Sequence, residues 1–154
     1  MKQPVLSAAW RSLLTVLIVA YTLLLLYWMF LGFGRSPGSS FHYNVIPLRT
    51  IRLYIQYGWT MSPKIWIINL FGNMAVFVPF GLLLPLLIRK LQSWLVLTAV
   101  FVPSILVVEW AQMLLRVGSF DVDDVILNTA GVWIGWMISS IWRERIGIKR
   151  GTKV

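Results

Sequence analysis

SLLTVLIVAYTLLLLYWMF, residues 12–30, contains no charged side chain, no glycine and no proline. A helix needs about 20 predominantly apolar residues to cross the hydrocarbon core of a bilayer, and this run is of that length. The stretch decides the fold: the chain enters a membrane. Its apolar run is too long for the core of a cleavable leader and no small-x-small site follows it, so it is expected to remain as a signal-anchor helix.

Working outward, the same absence of charge recurs. Nothing ionised lies between Arg11 and Arg35, between Lys64 and Arg89, or between Asp124 and Arg143, and Glu109 alone interrupts the run from Lys90 to Arg116. With 58% hydrophobic and 12% charged residues in 154, an ordinary soluble domain is excluded. The expected architecture is all-α: a polytopic four-transmembrane-helix bundle, with spans near 12–31, 65–88, 94–115 and 123–142. The 154 residues form one integral membrane domain, with a basic tail over 143–154. In the long connection after the first span, Leu48, Ile51 and Ile55 recur at helical spacing opposite Arg49, Arg52 and Gln56, and Pro47 suits a first turn. That predicts a short amphipathic outer-loop helix lying along the interface. Pro79 and Pro85 predict a kink or an unwound turn in the second span.

The net charge of +9 sits beside membrane segments, which points to lipid and topology rather than nucleic acid. One side of a four-span chain holds Lys2, Arg11, Arg89, Lys90, Arg143, Arg145, Lys149, Arg150 and Lys153; the other holds Arg35, Arg49, Arg52, Lys64 and Arg116. The positive-inside bias puts both termini in the cytoplasm and the connection 35–63 outside. There is no cysteine, so disulfides and thiolate metal sites are excluded.

The polar residues inside the spans fall on common faces. Asn69 and Asn73 are four apart on the second helix; Glu109, Gln112 and Arg116 form a stripe on the third; Asp124, Asn128, Gly131 and Gly135 share a face of the fourth, the glycines permitting close helix contact. All lie in the outer halves of their helices, and the inner halves are read as apolar. An unpaired charge near the bilayer centre costs about 2.5–3.5 kcal/mol or more, so these faces are expected to turn inward around an outward-opening polar pocket. The Arg49/Arg52 segment would roof it. Glu109 is the candidate acid or base, and Asn73, Gln112, Arg116, Asn128, Arg49 and Arg52 are candidate ligand-binding residues. Asp121, Asp123 and Asp124 have three readings: caps for the fourth helix, oxygen ligands for a divalent cation, Mg²⁺ or Ca²⁺, or for a cationic ligand group, or an ion-pair network with Arg116, Arg49 or Arg52.

Four stretches, FHYNVIPLRTI (41–51), NLFGNMAVFVPFGLLLP (69–85), EWAQ (109–112) with Arg116, and DVDDVILNTAGVWIG (121–135), resemble the VanZ-like membrane proteins over roughly residues 42–135. By position, that family's polar motif falls on Asn73, Pro79, Gly81, Glu109, Gln112, Arg116, Asp121, Asp123, Asp124 and Asn128. The resemblance implies a bacterial cell-envelope protein of the cytoplasmic (inner) membrane, linked to resistance to the glycopeptide teicoplanin, and names no reaction. Two functions follow as expectations. The first is binding of a lipid-linked cell-wall precursor or other anionic envelope ligand, with membrane lipids as partners. The second is an intramembrane, metal-assisted enzyme acting on a phosphate-containing lipid. A transporter is disfavoured because the inner halves offer no polar path.

Overall fold

The computed structural model describes residues 7–32, 34–58, 60 and 66–145. Lys2, Lys64 and tail residues 146–154, which enter the charge count, lie outside the described residues. Four helices are long and apolar enough to cross a membrane: α1 (Ala8–Phe30), α3 (Ile68–Leu87), α4 (Trp94–Leu114) and α5 (Val122–Arg145). A short helix α2 (Arg49–Tyr57) lies in the α1–α3 connection. The four-span architecture and the short outer-loop helix are those expected from the sequence.

Local chemistry sets the boundaries. α1 starts where the Ser7 side chain accepts the Trp10 N–H at 3.3 Å, an N-cap. α3 is broken in two. A π-helical turn spans Ile68–Gly72, a single α-helical turn Asn73–Ala75 follows, and after a break the helix resumes at Val78. Pro79 has no N–H to continue the ladder, and its ring excludes the carbonyl one turn back. The Val76 carbonyl at this break is taken by the Tyr21 hydroxyl of α1 at 2.8 Å. The kink expected from the prolines is thus present and stitched to a neighbouring helix.

α3 and α5 form the centre of the bundle, packed backbone to backbone. A Cβ placed on Gly81 would lie 1.9 Å from the Val132 carbonyl oxygen, on Gly131 2.0 Å from that of Met74, and on Gly135 2.1 Å from that of Val78. No side chain larger than hydrogen fits at these three points. Around this seam, Leu25, Phe77, Leu97, Ile105, Val125 and Val132 form the apolar core.

At one end of the bundle a two-residue strand β1 (Tyr43–Asn44) runs parallel to β2 (Phe120–Asp121), in the register Tyr43↔Phe120 and Asn44↔Asp121. It ties the α1–α2 loop to the entry of α5. The opposite end departs from the apolar reading. Ser139 and Arg143 are buried there, at 0% and 2% exposure, and Arg143 Nε donates to the Ser139 carbonyl at 3.2 Å. Arg143 is therefore packed within the protein, whereas the sequence places it in a basic anchoring tail.

Candidate ligand-binding cavity

Asp121, Asp123 and Asp124 follow one another at the start of α5, yet each faces a different partner. Asp121 precedes the helix, and its Oδ1 accepts the Asp123 N–H at 2.9 Å, which is the N-cap of α5 itself. The same carboxylate accepts Asn44 Nδ2 at 3.0 Å and Thr50 Oγ1 at 2.7 Å. Asp123 is wholly buried and points across to α2. Its two oxygens accept the backbone N–H groups of Leu48, Thr50 and Ile51. It caps a helix far away in sequence, and does so for a backbone in which Leu48 holds a φ of 64°, a left-handed conformation that costs a bulky residue roughly 1–2 kcal/mol.

Asp124 alone of the three turns into the bundle, where it accepts Asn73 Nδ2 at 2.6 Å. Here lies a cavity of about 450 Å³, with Asn69, Asn73, Glu109, Gln112, Asp124 and Asn128 in its wall. Glu109 is 3% exposed and Gln112 4%. Glu109 has Asp124, Asp121 and Arg35 as charged neighbours. Gln112 Nε2 donates to the Met29 carbonyl at the end of α1, 2.7 Å away, holding α1 against α4. Asn128 is 2% exposed, and its Oδ1 has no hydrogen-bond partner. Buried polar atoms are nearly always paired, so this acceptor stands out.

The cavity thus gathers Asn73, Glu109, Gln112, Asp124 and Asn128. The arginines expected with them stand elsewhere. Arg49 and Arg52 lie on the exposed face of α2, while Thr50, Ile51 and Tyr54 face the bundle. Arg116 lies past the end of α4, with a φ of 58°. The Arg116 N–H bonds the Met113 carbonyl and the Val117 N–H that of Gln112, each at 3.0 Å, a closing turn in which glycine is the usual residue. Its guanidinium sits over the Phe41 ring, 4.7 Å from the centroid. The helical stripe drawn from Glu109 to Arg116 fails because the helix ends between them.

Arg35 fills the vacant role. It lines the cavity and is anchored by a 2.7 Å bond from one guanidinium nitrogen to the Val117 carbonyl. Sequence reasoning counted it only as a topology charge. Tyr54 turns toward the bundle from α2, and its phenol is pushed above the ordinary tyrosine range by burial first, then by the Asp124 and Asp121 carboxylates. The inward spacing of Thr50 and Tyr54 on α2 was the available signal.

The oxygen set does not fit a divalent cation. Asp121 and Asp123 are turned to N–H and O–H donors on α5, β1 and α2, which leaves Glu109 and Asp124 facing the cavity. Among the described residues no group of three or more His, Cys, Asp or Glu side chains is placed to hold a metal ion. In this arrangement two of the three aspartates read from the sequence as Mg²⁺ or Ca²⁺ ligands, Asp121 and Asp123, act as caps.

Four membrane-length helices around a polar cavity at one end define a multi-pass membrane protein with a pocket inside the bundle. The VanZ/LLP1 family model matches residues 18–143, most of the chain, and the chain belongs to that family. No curated protein and no solved structure matches it.

Proposed function

We propose that the cavity binds the polar part of a lipid-linked envelope molecule, and that this binding contributes to glycopeptide resistance of the teicoplanin type. Both termini lie in the cytoplasm in this reading, so the cavity opens on the extracytoplasmic side of a bacterial cytoplasmic membrane. The observation that carries it is Asn128. An acceptor buried in the bundle without a partner is costly by about 1–3 kcal/mol, and it stands in a cavity already lined by Glu109, Asp124 and Arg35. Support for a binding role is a chamber whose polar span residues come from three helices, with one cation and two carboxyl groups in its wall. The metal-assisted enzyme draws less support, because Asp121 and Asp123 are engaged as caps.

Asn128→Leu separates a ligand site from a structural one. Replacing an unpaired buried acceptor by an apolar group of similar size leaves stability unchanged or raises it by about 1 kcal/mol. Under the binding reading the variant nevertheless loses protection against teicoplanin, at wild-type protein levels in the membrane. Growth inhibition assays beside a stability measurement on the purified protein read both. Full protection by Asn128→Leu overturns the proposal.

A further inference from the structure

Below the polar cavity lies a second chamber of about 250 Å³ enclosed by α1, α3 and α4, and Leu25, Met29 and Phe77 line both. Its wall on α4 runs from Leu97 to Val108, about 16 Å at 1.5 Å per residue. That is about the depth of one leaflet of a hydrocarbon core ~30 Å thick. The chamber is apolar throughout. Its two hydroxyls are satisfied within their own helices, Thr22 by the Ile18 carbonyl at 2.7 Å and Ser104 by the Val100 carbonyl at 2.8 Å. Water there would find no partners. Leu26, Val100 and Ser104 line it and are exposed, so it opens sideways between α1 and α4.

A chamber one leaflet deep, dry, open to lipid and sharing a wall with a polar pocket has the form of a site for one hydrocarbon chain and its head. Resting on the reading of the polar cavity given above, we infer that the ligand is a single-chain amphiphile. It enters between α1 and α4, lays its chain along Phe80 and Phe101, and presents N–H or O–H donors to Glu109, Asp124 and Asn128 Oδ1. These three are acceptors and outnumber Arg35, one of whose guanidinium nitrogens is taken by the Val117 carbonyl, so a head rich in donors matches the wall better than a bare anion.

The test uses the full chain in phospholipid nanodiscs and a long-chain amine carrying a photoreactive diazirine on its chain. Labelled residues are mapped by peptide mass spectrometry. Label is expected on Phe80 and Phe101, displaced by unlabelled hexadecylamine or an alkyl glucoside and not by an alkyl sulfate. The more potent of the two competitors identifies an amine or a polyol head. Val100→Trp and Ser104→Phe, both on the exposed rim, each plug the mouth and lower chamber labelling about tenfold. Label spread over the lipid-facing Val107 and Ile141, indifferent to both plugs, overturns the chain chamber. Head-selective displacement persisting in that case leaves the polar cavity standing. Chamber label that all three competitors displace equally, with Asp124→Asn without effect, overturns the donor-bearing head and counts against the polar cavity as the binding site.

Discussion

Asp123 is buried and is satisfied by three backbone N–H groups at the start of another helix. Hydrogen bonds to a charged acceptor contribute about 1.5–3 kcal/mol each, and leaving their donors buried and unmade costs a comparable amount. The bonds share one carboxylate and are not additive, so Asp123→Ala is expected to destabilise the protein by about 3 kcal/mol. Asp123→Asn, which keeps one acceptor oxygen, is expected to lose roughly half of that. Part of the loss comes from Leu48, whose left-handed backbone Asp123 holds, so Leu48→Gly is expected to recover about 1 kcal/mol in the Asp123→Ala background. Unfolding in mixed micelles monitored by circular dichroism measures all three. Equal stability of Asp123→Ala and wild type removes the cross-helix cap. The run of three aspartates was legible in the sequence as either a capping or a site feature. Their assignment was not, because the partner of Asp123 is more than seventy positions away and no local spacing encodes it.

At the scale of the elements, the α3–α5 seam decides whether the cavity exists, since Asn73 and Asp124 meet only if the two helices touch. A methyl carbon on Gly131 or Gly135 would sit 2.0 or 2.1 Å from a carbonyl oxygen, and those oxygens belong to backbone, which cannot rotate away. Gly131→Ala or Gly135→Ala must push the helices apart, at a cost of about 2–3 kcal/mol. Gly72 serves as the contrast within α3: a methyl there meets only Ile68 Cγ2 at 3.6 Å, an ordinary contact. Gly72→Ala is expected to stay within about 0.5 kcal/mol of wild type or to gain slightly from helix propensity. Thermal unfolding of the three variants checks this, and equal Tm values across them would show that the seam tolerates a methyl. The spacing of Gly131 and Gly135 with Asp124 and Asn128 made this face readable, and Pro79 made the break in α3 readable. The π-helical turn at Ile68–Gly72 left no trace in the pattern. Nor did the early end of α4, where an arginine occupies the left-handed position that glycine normally marks.

For the molecule as a whole, the runs without charge made legible four helices long and apolar enough to cross a membrane, because such runs can be satisfied in few other ways. What it conveys less directly is which charges belong to the protein and which to the membrane surface. Arg143 enters the count as an anchor and is buried; Arg35 enters it as a topology charge and lines the cavity. Removing both leaves the bias toward the cytoplasmic side intact, with Arg11, Arg89, Lys90 and Arg145 among the described residues facing Arg49, Arg52 and Arg116. Orientation is therefore expected to keep the cavity end outside. The absence of native cysteine makes this testable with single introduced thiols. Asp121 is unsuitable, being buried and bonded to Asn44 and Thr50, whereas Val45 is 60% exposed at the cavity end and Glu144 is exposed at the other. In intact cells, a membrane-impermeant maleimide is expected to modify Val45→Cys and to reach Glu144→Cys only after permeabilisation. The reverse pattern places the cavity in the cytoplasm, where no extracytoplasmic envelope ligand reaches it, and the proposed function falls with the orientation.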